Sequence, residues 1–79
     1  MRLTVRLYAG LRKFGPPGHE REDLTLVLPE GSTVASLLHL LGVPDHAPVV
    51  AMVGQRVVEL EHALVEGDVV ALFPPVAGG

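Results

Sequence analysis

The 79 residues leave room for one domain, taken as 1–79, and a hydrophobic content of 48% places the chain among sequences that build a core. A formal net charge of −3, with six Lys and Arg residues scattered along the chain, offers no basic stripe and argues against a nucleic-acid partner. Apolar runs too short for a bilayer, an amino terminus without a signal-peptide layout and the absence of cysteine point to a cytoplasmic protein with no membrane association, disulfide or thiolate metal site.

In chain order, Leu3 to Ala9 alternates, with Leu3, Val5, Leu7 and Ala9 on one side and Thr4, Arg6 and Tyr8 on the other. That period predicts a half-buried strand. Gly10 to Asp23 is polar, carries Gly-Pro-Pro-Gly and reads as a loop, with room for one helical turn at Leu11 to Phe14. Leu24 to Pro29 alternates again, with Leu24, Leu26 and Leu28 on one face. The period then lengthens: Val34, Leu37, Leu38 and Leu41 share one face of a helix. Ser32 or Thr33 can cap its start, Gly42 can take the left-handed conformation at its end, and Ala35, Ser36 and His39 face outward. Two short apolar runs flank Gly54-Gln55, giving a hairpin or a strand with a short return. After the turn at Glu66-Gly67-Asp68, a last strand runs from Val69 to Phe73, and Pro74, which has no amide to donate, ends it.

A single helix must cover one face of a mixed sheet of four to five strands. If the first and last strands pair in parallel at the centre, the fold is α+β of the β-grasp, ubiquitin-like type. The alternation then sets Val70 and Leu72 toward the helix and Val69, Ala71 and Phe73 away from it. Phe73 would meet Tyr8 on the outer face, at the root of a protruding tail over residues 73–79. An inward Phe73 is the competing reading.

Few side chains suggest chemistry. His19, His39, His46 and His62 have no metal-ligand spacing, so no metal site is expected. Ser32, Thr33 and Ser36 are explained by helix capping, and Gly-Pro-Pro-Gly lacks the lysine and helix of a phosphate loop. What remains is the end "FPPVAGG". A terminal carboxylate is ionised and inert as an electrophile, so transfer through it requires a partner to activate it with ATP inside a narrow, water-poor site. Gly78 and Gly79, lacking Cβ atoms, suit such a channel, and Pro74 and Pro75 hold the base of the tail extended. Pro74 to Gly79 can reach about 20 Å.

"GDVVALFPPVAGG", with "LTVRLYAGLRK" at the start and "STVASLL" in the middle, resembles the MoaD family, the small subunits of molybdopterin synthase, which stand with ThiS among ubiquitin-like sulfur carriers. The resemblance spans the whole chain and is most specific in Phe-Pro-Pro-Val before Gly-Gly. It implies a β-grasp fold without catalytic activity or bound cofactor of its own. It further implies adenylation of Gly79 by a MoeB-type enzyme using ATP and magnesium, conversion to a thiocarboxylate, and sulfur donation to precursor Z within a MoaE-type large subunit. A two-plus-two heterotetramer is the implied assembly. Gly78, Ala77, Val76, Pro75 and Pro74 match the tail, and Phe73, Tyr8, Arg12 and Val57 match partner-facing positions. Tyr8 departs from the more familiar Phe, Ala77 stands where Thr can occur, and the Gly10 to Asp23 loop is unusually proline-rich. Delivery of sulfur to thiazole or tRNA, conjugation to target lysines as a protein modifier, and a plain interaction module are the rival readings.

Overall fold

The computed structural model describes residues 1–18 and 22–75. The chain forms strand β1 (Arg2–Leu7), a short 3₁₀ helix (Ala9–Phe14), strand β2 (Leu24–Val27), helix α1 (Val34–Leu41), and strands β3 (Val50–Val53), β4 (Arg56–Val58) and β5 (Val69–Phe73). The five strands make one sheet in the order β2-β1-β5-β3-β4. β1 and β5 are parallel at its centre, with Thr4 opposite Val69 and Leu7 opposite Leu72. The other pairings are antiparallel. This mixed sheet with one main helix is the β-grasp.

Alternation decides the two faces. Leu3, Val5, Val70 and Leu72 are 0% exposed and join Leu7, Leu24 and Ala51 in a core with Val34, Leu37 and Leu38 of α1. Leu11, Leu28, Val43 and Leu64 close its margins, and among the described residues no polar or charged residue is buried in it. The core is aliphatic: Phe14 packs against its edge, half-buried.

Thr33 caps α1. Its Oγ1 accepts from the Ser36 amide at 3.2 Å, and Ser36 Oγ accepts from the Thr33 amide at 3.1 Å, so two amides otherwise left open are satisfied reciprocally. Ser32 instead donates to the Pro29 carbonyl at 2.8 Å and closes the preceding turn. Gly42 ends the helix at φ 85°, where a Cβ would be strained.

The boundaries differ from the sequence reading at three places. β1 stops at Leu7, because Ala9 turns to φ 49°, leaves the ladder exposed and opens the 3₁₀ helix. That helix spans six residues, Ala9–Phe14, and not a single turn, because Leu11 reaches the core and anchors it. β2 stops at Val27 before Pro29, although the Leu28 amide still donates to the Met1 carbonyl at 2.9 Å. Around Gly54-Gln55 the chain makes a hairpin, with Val53 opposite Arg56.

Candidate functional site

The outer face of the sheet is covered by no layer of this chain among the described residues. Arg6 and Tyr8 at the end of β1, Val69, Ala71 and Phe73 on β5, Val50 and Met52 on β3, and Val57 on β4 share it by register. Phe73 therefore points away from the core, and the inward alternative is wrong: Leu72 beside it is fully buried while Phe73 is only partly so.

Tyr8 and Phe73 meet edge to face, with ring centroids 5.8 Å apart and planes at 80°. Offset and edge-on geometries align the positive rim of one ring with the negative face of the other. The Tyr8 amide donates to the Leu72 carbonyl at 3.0 Å, extending the central parallel ladder by one bond and fixing the Tyr8 backbone beside Phe73. The pair is thus held by the sheet, although Tyr8 is 40% exposed.

An open groove of about 480 Å³ runs along this pair, lined by Arg6, Tyr8, Ala9, Met52, Gly54, Ala71, Phe73 and Pro74. Its floor is apolar and Arg6 supplies its one charge. On the other side of Tyr8 a second, polar groove is lined by Arg6, Arg12, Glu22 and Asp23. There Arg6 Nε pairs with Asp23 Oδ2 at 3.1 Å, an exposed pair that contributes little to stability. Arg12 is half-buried, and its Nε has no hydrogen-bond acceptor among the described residues. A buried donor left without an acceptor is costly.

Val57 is 69% exposed on the edge strand. It sits directly opposite Met52, and Met52 sits opposite Ala71. At the usual strand spacing Val57 is about 10 Å from β5. It belongs to the same face as Phe73 and reaches it through Met52. Met52 is the residue that sequence reasoning missed: its outward direction is readable from alternation, but its place between Val57 and Ala71 follows only from register. Pro74 and Pro75 follow β5 directly, and the expectations for Val76, Ala77, Gly78 and Gly79 lie outside the described residues. Among the described residues no three His, Cys, Asp or Glu side chains come together to hold a metal, and no helix is long and apolar enough to cross a membrane.

A family model described as the ThiS family matches residues 5–79. Among solved structures, a Pyrococcus furiosus protein provisionally described as molybdopterin converting factor, subunit 1, is 26% identical, covers 95% of this chain and 98% of its own, and superposes with a TM-score of 0.72. SAMP1 from Haloferax volcanii is 23% identical over 100% of both chains, with a TM-score of 0.72. The complex of subunits 1 and 2 of the molybdopterin-converting factor from Helicobacter pylori contains a chain 20% identical over 100% of both, with a TM-score of 0.63. The last two show likeness of fold. No curated protein sequence matches the chain.

Proposed function

The chain belongs to the ThiS family of ubiquitin-like sulfur carriers, and from that membership we propose that it is the sulfur-carrying small subunit of a molybdopterin synthase. The observation that carries this reading is the Tyr8–Phe73 pair on an uncovered sheet face at the root of the Pro-Pro-Val-Ala-Gly-Gly tail. A carrier needs a docking surface whose geometry is fixed relative to its reactive end, and here the last residue of β5 is part of that surface. The likeness to the Pyrococcus furiosus protein supports the same branch.

In this reading the Gly79 carboxylate attacks the α-phosphorus of ATP in a MoeB-type enzyme, with magnesium as that enzyme's requirement, and pyrophosphate leaves. A sulfur donor then displaces AMP to give the thiocarboxylate. The tail, through Gly78, Ala77, Val76, Pro75 and Pro74, enters a MoaE-type large subunit, where sulfur passes to precursor Z. Tyr8, Phe73, Arg12 and Val57 hold the two subunits together in a two-plus-two heterotetramer in the cytoplasm. The chain binds no cofactor itself and supplies no acid or base. Its role is to deliver an activated terminus in register with partners that hold the active sites.

Intact mass of the chain after incubation with an activating enzyme, ATP, magnesium and a sulfur donor tests the carrier chemistry. Exchange of one terminal oxygen for sulfur is expected. Addition of the mass of a different protein would identify a modifier, and an unchanged mass would leave a plain interaction module. Conversion of precursor Z by the thiocarboxylated chain with a MoaE-type subunit then separates the molybdopterin branch from thiazole or tRNA delivery.

A further inference from the structure

An activated glycyl terminus is an electrophile, so the nucleophiles on the chain's own surface become a functional question, one that rests on the terminal activation of the proposed function. Acyl-adenylates transfer to amines and thiols. Cysteine is absent. Of the six basic residues only Lys13 is a lysine, and arginine guanidinium stays protonated and does not attack. Imidazoles can be acylated, but water hydrolyses the product.

Two amines remain, and the structure treats them differently. The α-amino group of Met1 donates to the Leu28 carbonyl at 2.6 Å and lies 3.6 Å from Glu30 Oε2. It is partly buried at the end of the β1–β2 ladder, where acylation would remove the charge that pairs with Glu30 and crowd the contact with the Leu28 carbonyl. Lys13 is exposed on the 3₁₀ helix, which packs against β1 and β5, the strand that leads into the tail. Its Nζ lies 5.4 Å from the Phe14 ring centroid, and among the described residues no carboxylate pairs with it. Loss of the ammonium proton gives up the contact with the ring face, which favours the cation, but it breaks no ion pair and no hydrogen bond to a backbone carbonyl, whereas Met1 is held by both.

We infer that Lys13 is the acyl-acceptor site of this chain and takes the activated glycyl terminus of a second copy. The ε-amine attacks the acyl carbonyl carbon, the carbon–oxygen bond to AMP breaks, AMP leaves with the electron pair, and the surplus proton passes to water. The product is an isopeptide between Gly79 of one copy and Lys13 of the other, lighter than two chains by one water.

Two assays test this on the full chain. In the first, N-acetylated Val-Ala-Gly-Gly presented as an activated ester acylates the folded protein near neutral pH, and peptide mapping locates the adduct. Lys13 should carry at least about tenfold more adduct than Met1, and K13R should lose it. Equal or greater acylation of Met1 would overturn the assignment, whether or not the terminus is ever activated by an enzyme. In the second, a MoeB-type enzyme with ATP and magnesium is added without a sulfur donor, and pyrophosphate release is followed beside intact mass. Release with a covalent dimer in the wild type and none in K13R supports the linkage. Release without a dimer, or with a monomer lighter by one water, overturns the copy-to-copy linkage and leaves the carrier reading intact. No release refutes the carrier reading and the linkage with it.

Discussion

The two faces of the sheet are made by the same strands and yet do different jobs. On β5, Val70 and Leu72 face α1 and are fully buried, whereas Val69, Ala71 and Phe73 face outward and remain partly exposed. On β1, Leu3, Val5 and Leu7 are core, while Arg6 and, just past the end of the strand, Tyr8 border the outer grooves. The inner face is fixed by folding and tolerates little change in volume. The outer face holds a contiguous band of apolar and aromatic side chains that folding alone does not require, and bands of that kind mark places where another molecule docks. A period of two thus lets one strand fill the core with one set of side chains and leave the other set available for the docking proposed above.

The most drastic way to isolate the outer face's purpose is to alter neither face. Deleting Gly79, or replacing Gly78 with Val, should abolish ATP-dependent adenylation and leave the denaturant midpoint unchanged. Adenylation of either variant at the wild-type rate would remove the tail from the proposed chemistry.

Next in size is the inner face. Leu72→Ala deletes a fully buried side chain opposite Leu7 and Ala51 and should cost about 2–5 kcal/mol of stability, a large share for a domain this small. Urea unfolding measures it, and a loss near zero would mean that the core re-forms around the cavity.

Its neighbour gives the contrast. Phe73→Ala should cost about 2 kcal/mol of affinity for the large subunit, a roughly 30-fold rise in Kd, with a much smaller shift of the midpoint. Denaturation and a binding isotherm on one preparation compare the two quantities. A midpoint that falls as far as that of Leu72→Ala would erase the distinction between the faces.

The smallest expected effect belongs to the histidines, of which His39, His46 and His62 are exposed outside the core and His19 lies outside the described residues. Replacing His19, His39, His46 and His62 together with Gln should leave sulfur transfer in the reconstituted complex within about tenfold of wild type, or 1.4 kcal/mol of barrier. A larger loss with normal folding would reveal an acid or base supplied by this chain.

Local chemistry made much of this readable in the sequence alone. Alternation placed β5 at Val69 to Phe73 and divided its side chains into two sets without saying which set faces the helix, because a strand's period is two and Asp68 and Pro74 bound it. The Val34–Leu41 stripe was similarly clear, with Thr33 and Gly42 at its ends. The Tyr8–Phe73 contact was open in the sequence, since Phe73 on an isolated strand could have turned either way. What decided it was the parallel pairing of β1 with β5, a contact between segments some 65 positions apart that no local pattern encodes. Met52 was missed for the same reason: its neighbours on the outer face come from strands β4 and β5, and only register identifies them. The end of β1 was misplaced because alanine at a positive φ carries no compositional signal, unlike the glycines at Gly42 and Gly54.

The central position of β5 has a mechanical consequence. A tail seized in a partner's channel is pulled along the axis of β5, and that strand is hydrogen-bonded on both sides, to β1 in parallel and to β3 antiparallel. Tension along the strand loads those bonds together in shear, since ladder bonds lie across the strand direction, and does not peel them away one at a time. An edge strand carrying the same tail would have one ladder to resist with. Under the proposed function, a chain end that leaves from the middle of the sheet could be drawn into a partner and released while the body behind it stays folded.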